Sequence, residues 1–249
     1  MRAVCVGLLV LGLLVVTGAI RAADETGVKA VIDKALKAMG GAEKVAKFKA
    51  ASCKFKVTRD ENGQQFTVEG EALWQGARQA RLDAEVAEGG QTNKVGLVIN
   101  GDKGWVKKGD EVQDAPEALL STLKNAFYAL RTPHQLPALK DAAFKLAPLG
   151  EQKINGKDAV GVSFSHKDHR NVSVFFDKES GLPVKSETRL SDPNGKEITI
   201  EYSYSEFKEM DGVKQPSKIT LKADGKDFTI ELSEIKAKDK VDDSEFAKP

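Results

Sequence analysis

From Ala51 onward, apolar and polar residues mostly alternate along the chain. The clearest stretch runs from Asn171 to Glu234 and reads VSVFFD, LPVKSETRL, KEITIEYSYSEF, KQPSKITLK and DFTIELSEI. Ser180-Gly181, Asp192-Pro193-Asn194-Gly195, Asp211-Gly212 and Asp224-Gly225 separate these segments. Ile198, Ile200, Tyr202 and Tyr204 fall on one face, and Thr199, Glu201 and Ser203 on the other. Strands with one dry face, joined by turn residues, predict an antiparallel meander. Upstream, Cys53, Phe55 and Val57 alternate with Lys54, Lys56 and Thr58, and Asn62-Gly63 predicts a hairpin turn. Phe66, Val68, Gly70, Ala72 and Trp74 share the next face. Arg78–Ala87 is a weaker strand. Val95, Leu97 and Ile99 precede a two-stranded excursion, Asn100–Val112, that includes Trp105. Strands resume at Phe144–Leu149 and Lys157–Ser165.

The period changes twice. Val28, Val31, Ile32, Ala35, Leu36 and Met39 form one stripe on a helix over Thr26–Gly40, which Gly40-Gly41 stops. Pro116 opens a second helical stretch carrying Leu119, Leu120, Leu123, Phe127 and Leu130, which Pro133 and Pro137 interrupt. No linker or repeat divides the chain. The expected fold is mainly β (α+β): one strongly curved antiparallel sheet of about 10–11 strands, because so many twisted strands curl or split. An N-terminal helix and a helical insertion lie on its concave side.

Charge and composition narrow the class. Of 249 residues, 41% are hydrophobic, enough for a sizeable core. Residues 1–23 hold Arg2 and Arg21 and no acid, which leaves 36 Lys+Arg against 37 Asp+Glu, a formal charge of −1. A nucleic-acid partner calls for a basic excess, so none is expected. Val4–Val16 is an apolar run behind Arg2, and small residues around Ala22-Ala23 precede Asp24. Residues 1–23 therefore read as a secretory signal peptide cleaved near Ala23, and 24–249 as a single exported domain, periplasmic or secreted. Cys5 leaves with the leader. Cys53 then stands alone, excludes an internal disulfide, and reads as a small buried hydrophobe.

No constellation in the sequence spells out a reaction. His166-Lys167-Asp168-His169 is the nearest approach to a metal signature, but a structural zinc site wants four supported ligands and no second His/Cys cluster exists. A solvated hairpin is the expected reading there, and a loop position for His134. Gly161-Val162-Ser163-Phe164-Ser165 lacks the second glycine of a nucleophile elbow and lies within an alternating strand. Acids such as Asp83, Glu85 and Glu88 fall on wet faces opposite lysines rather than in a glycosidase-type pair. Neither Gly40-Gly41 nor Gly89-Gly90 continues into a phosphate loop. Catalytic residues, metal and cofactors are accordingly expected to be none.

What remains is an apolar inventory. Aromatic residues fall mostly on inward positions, so they either pack a core or line an underfilled cup that takes lipid. The expected lining is Phe55, Val57, Phe66, Val68, Trp74, Leu97, Ile99, Leu123, Phe127, Phe164, Ile200, Tyr202, Ile219 and Leu221.

The segments VIDKALKAMGGAEKVAKFKA (Val31–Ala50), FFDKESGLPVKSE (Phe175–Glu187), YSEFKEMDGVKQPSKITL (Tyr204–Leu221) and VDDSEF (Val241–Phe246) carry a resemblance. Together with the order of elements, they resemble the LolA/LolB-like superfamily, closest to the outer-membrane lipoprotein-sorting group of periplasmic carriers. The resemblance implies an unclosed β-barrel with a helical lid over a hydrophobic cavity. It also implies non-enzymatic binding or transport of lipid or lipoprotein acyl chains without a cofactor, by a monomer with an envelope membrane or membrane-protein partner. The carriers' lid-latching arginine lies on a strand, and by order Arg59, Arg78 and Arg81 are all candidates for it. The alternative is a structural or protein-interaction β-module of the cell envelope whose interior is packed.

Overall fold

A computed structural model describes residues 25–61 and 64–249. The expected signal peptide and the Asn62-Gly63 turn lie outside these residues. Helix α1 (Glu25–Ala38) and helix α2 (Ala42–Lys47) lead into strands β1 (Ala50–Glu61), β2 (Gln64–Gln75), β3 (Gln79–Glu88), β4 (Gln91–Asn100), β5 (Lys103–Lys108) and β6 (Glu111–Asp114). Helix α3 (Glu117–Leu130), the short helix α4 (Thr132–Gln135) and a 3₁₀ turn (Leu136–Lys140) follow. Seven more strands complete the order: β7 (Lys145–Ile154), β8 (Lys157–His166), β9 (His169–Asp177), β10 (Pro183–Ser191), β11 (Glu197–Met210), β12 (Val213–Ala223) and β13 (Lys226–Ala237).

Among the described residues all thirteen strands join one sheet, in the order β6-β5-β4-β3-β2-β1-β13-β12-β11-β10-β9-β8-β7. Every neighbouring pair is antiparallel. The chain thus runs outward to β6, crosses to the far edge through α3, and returns strand by strand until β13 closes against β1. The edges β6 and β7 do not pair, so the sheet is curved and unclosed. Thirteen strands exceed the expected ten or eleven chiefly because the excursion around Trp105 supplies β5 and β6, full members of the sheet at its edge.

Curvature has local causes. Glu206 and Glu234 adopt φ of 50° and 49°, rare for a side chain other than glycine. At Glu234 the β1–β13 register skips a residue, a bulge, while at Glu206 the β11–β12 register is unchanged. Such bulges bend and twist a strand. Gly70 marks a different constraint. A Cβ placed there would lie 2.1 Å from the Asp83 carbonyl oxygen and 2.7 Å from the Ala84 Cα. Strands β2 and β3 therefore approach more closely at this point than any side chain permits.

Register carries one apolar row across six strands. Tyr204 pairs with Ile219, Ile219 with Ile230, Ile230 with Val57, Val57 with Val68, and Val68 with Val86. Helix α1 buries Val28, Ile32, Ala35, Leu36 and Met39 in the same core, matching the predicted stripe. Helix α3 buries Leu120, Tyr128 and Ala129 and rests on β9, β10 and β11. Its innermost face is thus centred on Tyr128, beside the leucine stripe that hydropathy picks out. Pro133 does not end the helical region. It enters the first turn of α4, where its missing N–H costs nothing.

The opposite face has a small core of its own. Phe246 is fully buried with Ala50, Val98 and Val241, and Leu73 and Trp105 pack around them. Trp105 therefore lies outside the main interior, against the C-terminal segment. That segment is held by hydrogen bonds from Arg81 and Asn100 to the carbonyls of Glu245 and Phe246.

The close approach at Gly70 sets a measurable cost. Gly70→Ala is expected to destabilise the fold by about 2–3 kcal/mol through overpacking. Gly27→Ala, in open space on α1, is expected to stabilise it by about 0.5–1 kcal/mol. Urea denaturation of the two variants checks both signs.

Candidate functional site

The candidate site is the concave apolar face together with α3, α4 and the 3₁₀ turn that cover it. Of the expected lining, Trp74, Ile99, Phe164, Ile200, Tyr202 and Ile219 are buried in one continuous core. Phe55, Val57, Leu97, Leu123, Phe127 and Leu221 are half-buried against it. Phe66 and Val68 are half-buried near the β1–β2 turn, outside that cluster. The structure thus gathers the fourteen positions on one side of the sheet, with the part nearest α1 and α3 densely filled. A recess of about 1120 Å³ is lined by Lys54, Glu69, Glu71, Asp83 and Lys94 together with Phe55, Val95 and Leu232, and of the expected lining Phe55 alone borders it.

The cover is attached through the end of α3. The last four carbonyls of a helix have no partner within it and must find one outside. Here all four do. The Phe127 carbonyl accepts from the Arg131 N–H and the Tyr128 carbonyl from the Gln135 side chain. Ala129 accepts from the Thr132 hydroxyl, and the Ser186 and Tyr204 hydroxyls, themselves 2.7 Å apart, share their two protons between that contact and the Ala129 and Leu130 carbonyls. One turn earlier, the Tyr202 hydroxyl donates 3.0 Å to Ala126. Strand β11 thus offers two tyrosines whose rings join the core and whose hydroxyls hold the helix. Burial pushes both phenols far above their usual pKa, which keeps them neutral donors.

Immediately after α3, Arg131 turns inward and is 6% exposed. Its Nη1 donates 2.7 Å to the Gly76 carbonyl in the β2–β3 turn. Its guanidinium lies 4.8 Å from the Trp74 ring centre and 5.1 Å from that of Phe127. Burial lowers its pKa to about 9, so the charge persists at neutral pH. His134 follows one turn later, stacked on Phe48 and Trp74, with Nε2 2.5 Å from Gln215 Oε1. A loop reading of His134 was therefore wrong: a short helix carries it into an aromatic slot. The other arginines lie elsewhere. Arg78 pairs with Asp102, Arg81 with Asp83 and Glu245, and Arg59 lies over Phe66 and Phe228. The arginine that ties the helical cover to the sheet comes from the cover itself.

The His166–His169 hairpin is not simply solvated. His169 stacks on Tyr128 at 3.9 Å, and His166 sits 3.7 Å from Asp168. Among the described residues no group of three His, Cys, Asp or Glu side chains is placed to hold a metal. Cys53 is buried and its thiol is pushed up to about 12, chiefly by desolvation, which leaves it an inert core group.

With this geometry in hand, the solved structures are informative. A LolA superfamily protein from Nitrosomonas europaea superposes with a TM-score of 0.58 at 13% identity, covering 89% of this chain and 97% of that one. The chain has the LolA-superfamily fold. A DUF1329 family protein from Desulfovibrio piger gives 0.55 at 12% identity over 88% and 97%. A domain named for outer membrane lipoprotein sorting, from Vibrio parahaemolyticus, gives 0.51 at 14% over 87% and 97%. No protein-family model and no curated protein matches the sequence. The LolA-like likeness is one of fold. Among the described residues no helix is long and apolar enough to cross a membrane.

Buried neutral histidines give this LolA-like fold a pH dependence. Burial lowers the pKa of His134 to about 4, with the Arg131 charge acting in the same direction and the Gln215 hydrogen bond opposing. His169 falls to about 4 as well, first through burial and then through His166. The unfolded chain protonates these rings near 6.5 and the folded chain does not, so stability is full above that pH and falls toward 4. For His134 the loss is about 2–3 kcal/mol between about pH 7.5 and 4.5. Urea denaturation at both values should show a smaller loss for His134→Gln by that amount. Equal losses would mean that the imidazole is not held neutral.

Proposed function

We propose that the mature chain is an exported, non-enzymatic binder or carrier of acyl chains, taken from lipids or lipoproteins, between the curved sheet and α3. The observation that carries this reading is the incomplete cover of the apolar row. Helices seal the face over β9, β10 and β11, while Phe66, Val68 and Val86 stay half-buried at its other end. An acyl chain entering there meets a continuous apolar path across six strands. The LolA-like fold and the lipoprotein-sorting name of one neighbour support the same ligand class. The leader-like residues 1–23 support export to the periplasm or outside the cell, next to an envelope membrane that supplies or receives the chain.

In the closed arrangement α3 occupies the space a ligand needs, so loading exchanges one apolar partner for another. A chain of about twelve methylenes gains about 10 kcal/mol on burial, at ~0.8 kcal/mol each. Withdrawing the large apolar side chains of α3 costs about 1.5–3 kcal/mol apiece. The two are comparable for the four to six groups that α3 inserts, which suits reversible loading rather than permanent storage. The filled core favours one competing reading, a packed β-module that binds protein partners through its outer face.

The two readings predict opposite results. Purified chain beginning at Asp24 should bind a fluorescent fatty acid and carry copurified lipid detectable by native mass spectrometry. Val68→Asp, at the half-buried end, should weaken that binding by about tenfold or more with the circular dichroism unchanged. Absence of both bound probe and copurified lipid would favour the packed module.

A further inference from the structure

Arg131, His134 and Gln215 form the most unusual polar cluster in the interior. Residues 131 and 134 are one helical turn apart and face the same way. Gln215 of β12 is fully buried, and it reaches His134 from the sheet. Each of the three side chains nevertheless keeps a buried polar atom with no protein partner: Arg131 Nε, His134 Nδ1 and Gln215 Nε2. Among the described residues no carboxylate pairs with the Arg131 charge, and Cys53, its ionisable neighbour, is a neutral thiol. Cation–π contact with Trp74 and Phe127 offsets part of this burial, but it leaves the in-plane Nε–H donor unused. A buried cation and two further unpaired polar atoms are costly to keep. Two of these atoms, Arg131 Nε–H and Gln215 Nε2–H, are unused donors at the junction of lid and sheet, and they point to a ligand that accepts from both.

We propose that this cluster is a headgroup site for a carboxylate at the end of an acyl chain. The chemistry selects the anion. A carboxylate has two oxygens that accept from Arg131 Nε–H and from Gln215 Nε2–H, and its charge neutralises the guanidinium. An ester lacks the charge, and an alcohol lacks the second acceptor as well. The position suits a chain lying along the interior, since Cys53, Trp74 and Phe127 surround the cluster with apolar atoms. Because Arg131 also holds the Gly76 carbonyl, carboxylate binding competes with the contact that fixes the end of α3. The headgroup thereby acts on the cover as well as on affinity.

This inference rests on the acyl-binding reading above, and the test separates the two. Isothermal titration of the mature chain with dodecanoate, dodecanol and methyl dodecanoate at about pH 7.5 compares one chain length with three ends. The acid is expected to bind about tenfold tighter than either neutral ligand, the factor of one hydrogen-bonded charge. Arg131→Met should bring the dodecanoate-to-dodecanol affinity ratio to about one, whatever loss of the Gly76 contact does to both affinities. Gln215→Leu, which keeps the side-chain volume, should reduce the same acid-to-alcohol ratio, and it carries the test if Arg131→Met does not fold. Equal binding of all three ligands to the wild type, or an unchanged ratio in Gln215→Leu, overturns the headgroup site while the carrier reading stands. No binding of any of the three overturns the carrier reading itself.

Discussion

The structure depends on how the C-terminal end of α3 is satisfied inside the protein. A helix that ends against an apolar sheet leaves carbonyls where water is scarce, and each unmade bond would cost about 1–3 kcal/mol. Tyr204, Ser186, Thr132 and Gln135 supply the missing donors, and Tyr202 adds one a turn earlier. Tyrosine suits this duty because its ring packs like a core residue while its hydroxyl reaches past the ring to the helix. The same two residues therefore define the dry face of β11 and hold the cover over it. If the interior opens, it opens by breaking these bonds, and the freed carbonyls need water or ligand in return.

That arrangement explains why much of the fold was legible in the sequence and why the site was not. Alternation at Ile198, Ile200, Tyr202 and Tyr204 marks one face whatever lies above it, so the sheet and its dry side could be read directly. The stripe on α1 was equally legible, because Val28, Ile32, Ala35, Leu36 and Met39 are buried and Val31 packs half-buried against them. Strand number was underestimated at β5 and β6, where lysines and acids outnumber hydrophobes and edge strands carry little alternation. The inward face of α3 was read from its leucines, although Tyr128 lies deepest with Leu120 and Ala129. Hydropathy ranks tyrosine too low to find such a position.

Arg131, His134 and Gln215 were invisible for a stronger reason. Each looks like an ordinary surface residue in the sequence, and Pro133 between two of them suggests a loop. Only the fold brings β12 beneath α4 and the Trp74 ring beside both. The one legible hint was Trp74 itself, a large aromatic in a strand whose indole N–H needs a buried acceptor. It finds the Phe48 carbonyl at 2.9 Å. Polar networks in a core are specified by pairs of residues far apart in sequence, so a single chain read in order carries little trace of them.

The two faces of the sheet divide the work in a way that follows from their chemistry. The outer face pairs Lys54 with Glu234, Lys56 with Glu69, and Lys185 with Glu187 and Glu201. The Lys54 and Lys56 pairs are largely exposed and contribute little to stability, while Lys185 is largely covered between its two acids. They keep a broad sheet face hydrated, and the C-terminal segment around Phe246 covers an apolar part of it. The inner face concentrates the free energy, and with it the conformational choice. Its apolar row is longer than its helical cover, and the cover ends in a buried cation without a carboxylate. A packed module uses the Arg131 bond to the Gly76 carbonyl but has no use for its unpaired Nε–H. That donor beneath the lid, with the unpaired Gln215 amide, is understandable if the interior has a second occupant.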